Sequence, residues 1–136
     1  MAVDPGARRV GLALSDEEGR FASPLKTLTR SPGDNLVTQL LGEARAAGAE
    51  LVVLGLPLRM NGDEGPEAKG ARSLARALQK AGLPTVLWDE RLTTVAAERQ
   101  LRASGKRGAA KKALLDQAAA TVLLQSYLDA QGPRAE

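Results

Sequence analysis

Residues 2–15 are AVDPGARRVGLALS. Asp4-Pro5-Gly6 is a turn signal that follows a short apolar start. Beyond it Val10, Leu12 and Leu14 alternate with Gly11, Ala13 and Ser15, the two-residue period of a strand. Asp16-Glu17-Glu18-Gly19 is a polar turn, and Arg20 to Leu28 supports a third strand. Three short strands joined by tight turns predict an antiparallel meander. The first strand has only Ala2 and Val3 before Asp4, so it reads as short and its edge as weakly anchored. Either translation begins beside Asp4 or the start lies a few residues upstream.

After this meander the pattern changes to alternating helices and strands. Asp34 is the expected N-cap of a helix whose stripe is Leu36, Val37, Leu40, Leu41 and Ala44, ended by Gly48. Leu51 to Leu56 is a continuous apolar run, as in a strand buried on both faces. A loop from Pro57 to Pro66 leads to a helix over 67–81 with Gly82 as its C-cap. Pro84 to Trp88 is a further buried strand. Thr93 to Ala103 reads as a helix capped by Thr93 or Thr94. Residues 104–112, SGKRGAAKK, read as a flexible basic segment, Ala113 to Ala130 as a last helix, and 131–136 as a disordered tail. The order β-β-β-α-β-α-β-α-α predicts one α/β domain over 1–136. Its mixed five-stranded sheet has three antiparallel strands, then two parallel ones, flanked by helices.

The composition narrows the chemistry. The 136 residues contain no Cys and no His. Disulfides, thiol catalysis, thiolate zinc sites and Ser-His-Asp arrangements are therefore excluded. Catalysis would need carboxylates, Lys, Ser/Thr, Tyr or a metal held by oxygen atoms, which favours Mg²⁺ or Mn²⁺. A net charge of +3 suits a nucleic-acid partner, and aromatics at 2% favour backbone and shape recognition over base stacking. No apolar run approaches membrane-span length and no basic-then-apolar leader opens the chain, so the expected location is the cytoplasm.

Three places hold acids with catalytic potential. Asp4 ends the first strand, where it could also form a simple Asx turn. Asp89-Glu90 follows the strand ending at Trp88, at the edge where open α/β sheets present ligand-binding groups. The alternative there is a helix-capping cluster with a local Arg pair. Asp116 shares a helical stripe with Ala119, Ala120, Leu123 and Tyr127, so it needs a partner or a metal unless it lies solvated in a frayed first turn. Carboxylates converging from these elements could hold two divalent ions about 3.5–4 Å apart for phosphodiester hydrolysis.

Four segments, VDPGARRVGLALSD (3–16), VVLGLPLRMNGDEGP (52–66), DERLTTVAA (89–97) and LLDQAAATVLLQSYLD (114–129), span nearly the whole chain. In this order they resemble the YqgF/RuvX family of Holliday-junction resolvase-like nucleases, also described as nucleases of pre-16S ribosomal RNA. The resemblance implies an RNase H-like fold. It implies a catalytic and metal-holding set of Asp4, Glu90 and Asp116, with Asp89 as a possible helper. It also sets the loop from Gly55 to Gly62 and the basic stretch before the last helix beside a nucleic-acid groove. The implied function is metal-dependent hydrolysis in structured nucleic acid, in 5′-end processing of pre-16S rRNA or on Holliday-junction-like DNA. Partners would be pre-rRNA, branched DNA or a ribosomal-subunit precursor, with the chain a monomer or a weak homodimer.

The remaining candidates are cations and one amide. Arg8, Arg9, Asn61, Arg91, Lys106, Arg107, Lys111 and Lys112 are candidate nucleic-acid contacts, with solvated loops and turns as the alternative. Two other functions fit the sequence. One is a non-catalytic RNA-binding factor in ribosome maturation or transcription that uses the same basic surface. The other is a degenerate ATP-binding protein, although Leu12 stands where a P-loop of this glycine spacing requires Lys.

Overall fold

A computed structural model describes residues 1–92 and 109–132, with side chains for 1–91 and 116–132. Its elements are β1 (Ala2–Pro5), β2 (Arg9–Ser15), β3 (Ala22–Thr29), α1 (Leu36–Ala47), β4 (Val52–Leu56), α2 (Pro66–Lys80) and β5 (Thr85–Asp89). A 3₁₀ turn (Glu90–Leu92) follows β5, and the last helix is α3 (Ala109–Gln131). The five strands form one sheet in the order β3-β2-β1-β4-β5. β1 to β3 pair antiparallel, whereas β4 and β5 run parallel to β1. The expected mixed sheet is thus present.

β1 is the central strand. It pairs with β2 on one side and β4 on the other, and Met1, only 6% exposed, donates its nitrogen to the Leu51 carbonyl at 2.9 Å. The short strand is therefore well anchored, because both of its edges are hydrogen-bonded.

Side-chain alternation separates two apolar layers. Val3, Val10, Leu12, Val52, Leu54 and Leu56 face α1 and α2, meeting Leu40 and Leu78. Ala2, Ala13 and Val53 face α3, meeting Ala119, Ala120, Leu123 and Leu124. The second layer is built from smaller residues, which lets α3 lie close to the sheet. Trp88 and Tyr127 close its far side edge-to-face, with centroids 5.3 Å apart. Gln125 ties α3 to the β2–β3 hairpin, accepting from Ala22 N and donating to the Arg20 carbonyl, each at 2.9 Å.

Several expected boundaries shift. The N-cap of α1 is Asn35, whose side chain accepts from Thr38 N, while Asp34 accepts from Ser31 N in the preceding turn. Either residue can cap, and the turn at Pro32-Gly33 places Asn35 in the capping position. Gly48 does end α1 with φ of 70°. α2 ends at Ala81 in a right-handed conformation, and Gly82 follows with φ of 96°. α3 begins at Ala109, so Lys111 and Lys112 lie on a helix; the AAKKALL run at its start has strong helix formers throughout. Its other end reaches Gln131. The expected helix over Thr93–Ala103, together with Lys106, Arg107 and residues 133–136, lies outside the described residues.

Candidate active site

Asp4 pairs with Gly11 of β2. On its other side the register runs Ala2↔Val53 and Val3↔Leu54, so the next position, beside Asp4, is Gly55 of β4. Ala2, Ala13 and Val53 face α3. By the two-residue period, Asp4, Gly11 and Gly55 face it too. One carboxylate thus stands between two positions without side chains.

Other groups fill the space over those glycines. A methyl group at Gly55 would lie 2.6 Å from Glu90 Oε1 and 3.2 Å from Leu123 Cδ2. A methyl group at Gly11 would lie 2.1 Å from the Asp116 carbonyl oxygen and 3.3 Å from Asp116 Cβ. Glu90 therefore sits over one neighbour of Asp4 and Asp116 over the other. Adjacent strands are about 4.8 Å apart, so the three acids occupy adjoining columns on one face. They lie towards the carboxyl ends of the parallel strands β1, β4 and β5, the ligand-binding edge of such sheets.

The surroundings of the three acids differ. Asp4 is 3% exposed and Glu90 4%. Burial of this kind is costly for a charged carboxylate and calls for compensating partners. The Asp116 side chain is 15% exposed, and its Oδ2 accepts from Arg9 Nε at 2.6 Å. Asp116 lies about two turns into α3, whose first residue is Ala109. A frayed first turn is therefore not its setting, and Ala119, Ala120 and Leu123 of the expected stripe are all buried.

Asp89 and Glu90 have opposite surroundings. In β5, Leu87 packs in the α1–α2 layer while Val86 and Trp88 pack in the α3 layer. Asp89 thus faces away from Asp4, which places it on the far side of the sheet from the position expected of a helper. Arg91 holds it with Nε 3.1 Å from both carboxylate oxygens, Nη2 2.8 Å from Oδ2, and its backbone N 2.9 Å from Oδ1. This guanidinium hydrogen bond, aided by the backbone bond and the charge of Arg91, holds the Asp89 carboxyl below its ordinary range. Arg91 also donates Nη1 to the Met60 carbonyl at 3.3 Å, so it fastens the loop after β4 to the end of β5. The local Arg pair is real for Asp89, whereas Glu90 sits over Gly55.

Most of the described candidate nucleic-acid residues have protein partners. Arg9 is on Asp116 and Arg91 on Asp89. Asn61 exchanges two hydrogen bonds with Asp63, donating Nδ2 to Oδ2 at 2.9 Å and accepting from Asp63 N at 3.0 Å. Arg8 is exposed at the β1–β2 turn, and its carbonyl accepts from Arg30 N at 2.7 Å. Sequence reasoning overlooked Gly11 as part of the site and placed Gly55 only at the start of a loop beside the groove, whereas Gly55 lies within β4. The signal was available, since glycine inside a strand pattern marks close approach by another group.

All the candidate donors are oxygen atoms, two of the three carboxylates are almost fully buried, and glycines clear the space between them. That set suits a hard divalent ion. Among the described residues, no group of three or more acids is drawn together tightly enough to hold a metal ion as it stands.

Comparison with known proteins gives one consistent result. The family model described as "RuvX: Holliday junction resolvase" matches residues 1–130. A Chloroflexus aurantiacus protein named "Putative pre-16S rRNA nuclease" is 43% identical over 132 residues, covering 96% of this chain and 86% of the relative. A protein of the same name from Kineococcus radiotolerans is 49% identical over 134 residues, covering 96% of this chain and 71% of its own. Among solved structures, Thermus thermophilus RuvC in complex with a Holliday junction substrate superposes with a TM-score of 0.56. It is 18% identical, with coverage of 97% of this chain and 95% of RuvC, a likeness of fold.

Proposed function

The chain belongs to the RuvX family and is a nuclease, and from that premise we propose that Asp4, Glu90 and Asp116 form its phosphodiester-hydrolysing site. The observation that carries the proposal is the row Gly11–Asp4–Gly55, with Asp116 over one glycine and Glu90 over the other. Asp4, Glu90 and Asp116 would hold Mg²⁺ or Mn²⁺, with two ions as the proposed complement. When bound, such an ion supplies charge to the phosphoryl oxygens and makes a nearby water a nucleophile at neutral pH. The chain's own contribution is to place three oxygen donors on rigid elements, and to exclude bulk water from Asp4 and Glu90 by packing α3 over them.

The proposed substrate is the 5′ end of pre-16S rRNA, in the cytoplasm and on a ribosomal-subunit precursor, with branched DNA as the second candidate. A monomer suits a single RNA strand, whereas cutting a symmetric junction calls for a two-fold dimer. Contacts from Arg8, Lys106, Arg107, Lys111 and Lys112 to phosphates would be independent of base sequence. Arg91 supports the rim of this site by holding Asp89 and the Met60 carbonyl, and Asn61 does so by pairing with Asp63 within the loop after β4.

The test is a side-by-side cleavage assay on precursor 16S rRNA and a four-way DNA junction, with Mn²⁺ or with EDTA. Metal-dependent cleavage that favours the rRNA is expected. Preference for the junction would reassign the substrate. No cleavage of either, with binding intact, would favour the non-catalytic RNA-binding role.

A further inference from the structure

We infer that Arg9 is a positioning residue for the site: it orients the Asp116 carboxylate towards the metal-holding cluster and is not a phosphate contact. The inference rests on the proposed role of Asp4, Glu90 and Asp116. Arg9 opens β2 two residues before Gly11, so its side chain leaves the sheet on the face covered by α3. Its Nε reaches Asp116 Oδ2 at 2.6 Å, and the two side chains are 30% and 15% exposed. The pair spans two elements 107 residues apart in sequence. Gly11 lets the backbone of Asp116 approach the sheet, and Arg9 fixes the direction of its carboxylate. Metal-ligating carboxylates are commonly oriented in this way by hydrogen bonds from outside the ligand set. A guanidinium committed to a half-buried carboxylate is also a poor candidate for contact with nucleic acid. Arg8, the preceding residue, is exposed and makes no such contact with an acid among the described residues.

The experiment titrates Mn²⁺ into the full-length protein by calorimetry for wild type, Arg9→Ala and Arg9→Lys. Thermal midpoints serve as the check on folding. A second readout is the affinity for precursor rRNA in EDTA. Arg9→Ala should weaken Mn²⁺ binding roughly 10–100-fold, the range for removal of a group that orients a metal ligand. Arg9→Lys should recover part of that affinity, and RNA affinity should change less than about twofold, since no phosphate contact is removed. Unchanged or tighter Mn²⁺ binding in Arg9→Ala, with weaker RNA binding, would overturn the inference and make Arg9 a phosphate contact. If wild type itself bound no Mn²⁺, the metal-holding role of the three acids would fall, and this inference with it.

Discussion

Single residues around Asp4 carry the most specific expectations. Gly55→Ala brings a methyl group 2.6 Å from Glu90 Oε1, the end of a flexible side chain. Gly11→Ala brings one 2.1 Å from the Asp116 carbonyl, which belongs to the backbone of a helix. Overpacking typically costs about 1–3 kcal/mol. Gly11→Ala should fall at or above the top of that range and Gly55→Ala near the bottom, as urea unfolding would show. Gly55→Ala should nevertheless lower cleavage, because Glu90 must move. Asp89 gives a pH-dependent expectation. Its carboxyl titrates below its ordinary value of 3.8 in the folded protein. The Arg91 contact therefore contributes stability above the unfolded value, and this is lost as pH falls through the folded one. The difference in urea midpoint between wild type and Asp89→Asn should be present at pH 7 and vanish well below pH 4.

At the scale of elements, the sheet and its helices were legible from sequence because each strand keeps its alternation or its apolar run. Val10, Leu12 and Leu14 marked β2, and Val52 to Leu56 marked β4. Three things were not legible. Which of Asp34 and Asn35 caps α1 depends on turn geometry at Pro32-Gly33, and both residue types cap well. Asn35→Ala should cost about 1 kcal/mol and exceed the cost of Asp34→Ala, measurable by thermal unfolding. The central position of β1 could not be read from its length, because it comes from pairing with a strand some fifty residues later. The partition of Asp89 and Glu90 was hidden as well. Adjacent residues in a strand point to opposite faces, and only the 2.6 Å approach of Glu90 Oε1 to a methyl group at Gly55 shows that Glu90 turns back over the α3 face. The packing of α3 gives a further expectation. Leu123 is fully buried and would touch a methyl group at Gly55. Leu123→Ala should cost about 2–5 kcal/mol, with a matching fall in the urea midpoint.

For the whole molecule, the arrangement is a division of labour between faces. Large aliphatic residues under α1 and α2 form the larger core, and small residues under α3 bring the last helix close enough to set Asp116 beside Asp4. Among the described residues no helix is long and apolar enough to cross a membrane. With a net charge of +3, binding to nucleic acid should weaken with salt. Replacing Lys106, Arg107, Lys111 and Lys112 by Ala should make the slope of log affinity against log salt shallower, by up to about 0.7–0.9 for each phosphate no longer neutralised. Asp4, between Gly11 and Gly55, is proposed as the core of the cleaving site. The most direct measurement compares Mn²⁺-dependent cleavage of precursor 16S rRNA by wild type and Asp4→Asn, with circular dichroism verifying the fold. Asp4→Asn should stay folded and lose more activity than the roughly 10–100-fold expected for an outer partner of a metal site. Full activity in folded Asp4→Asn, or equal cleavage by wild type in EDTA, would contradict it.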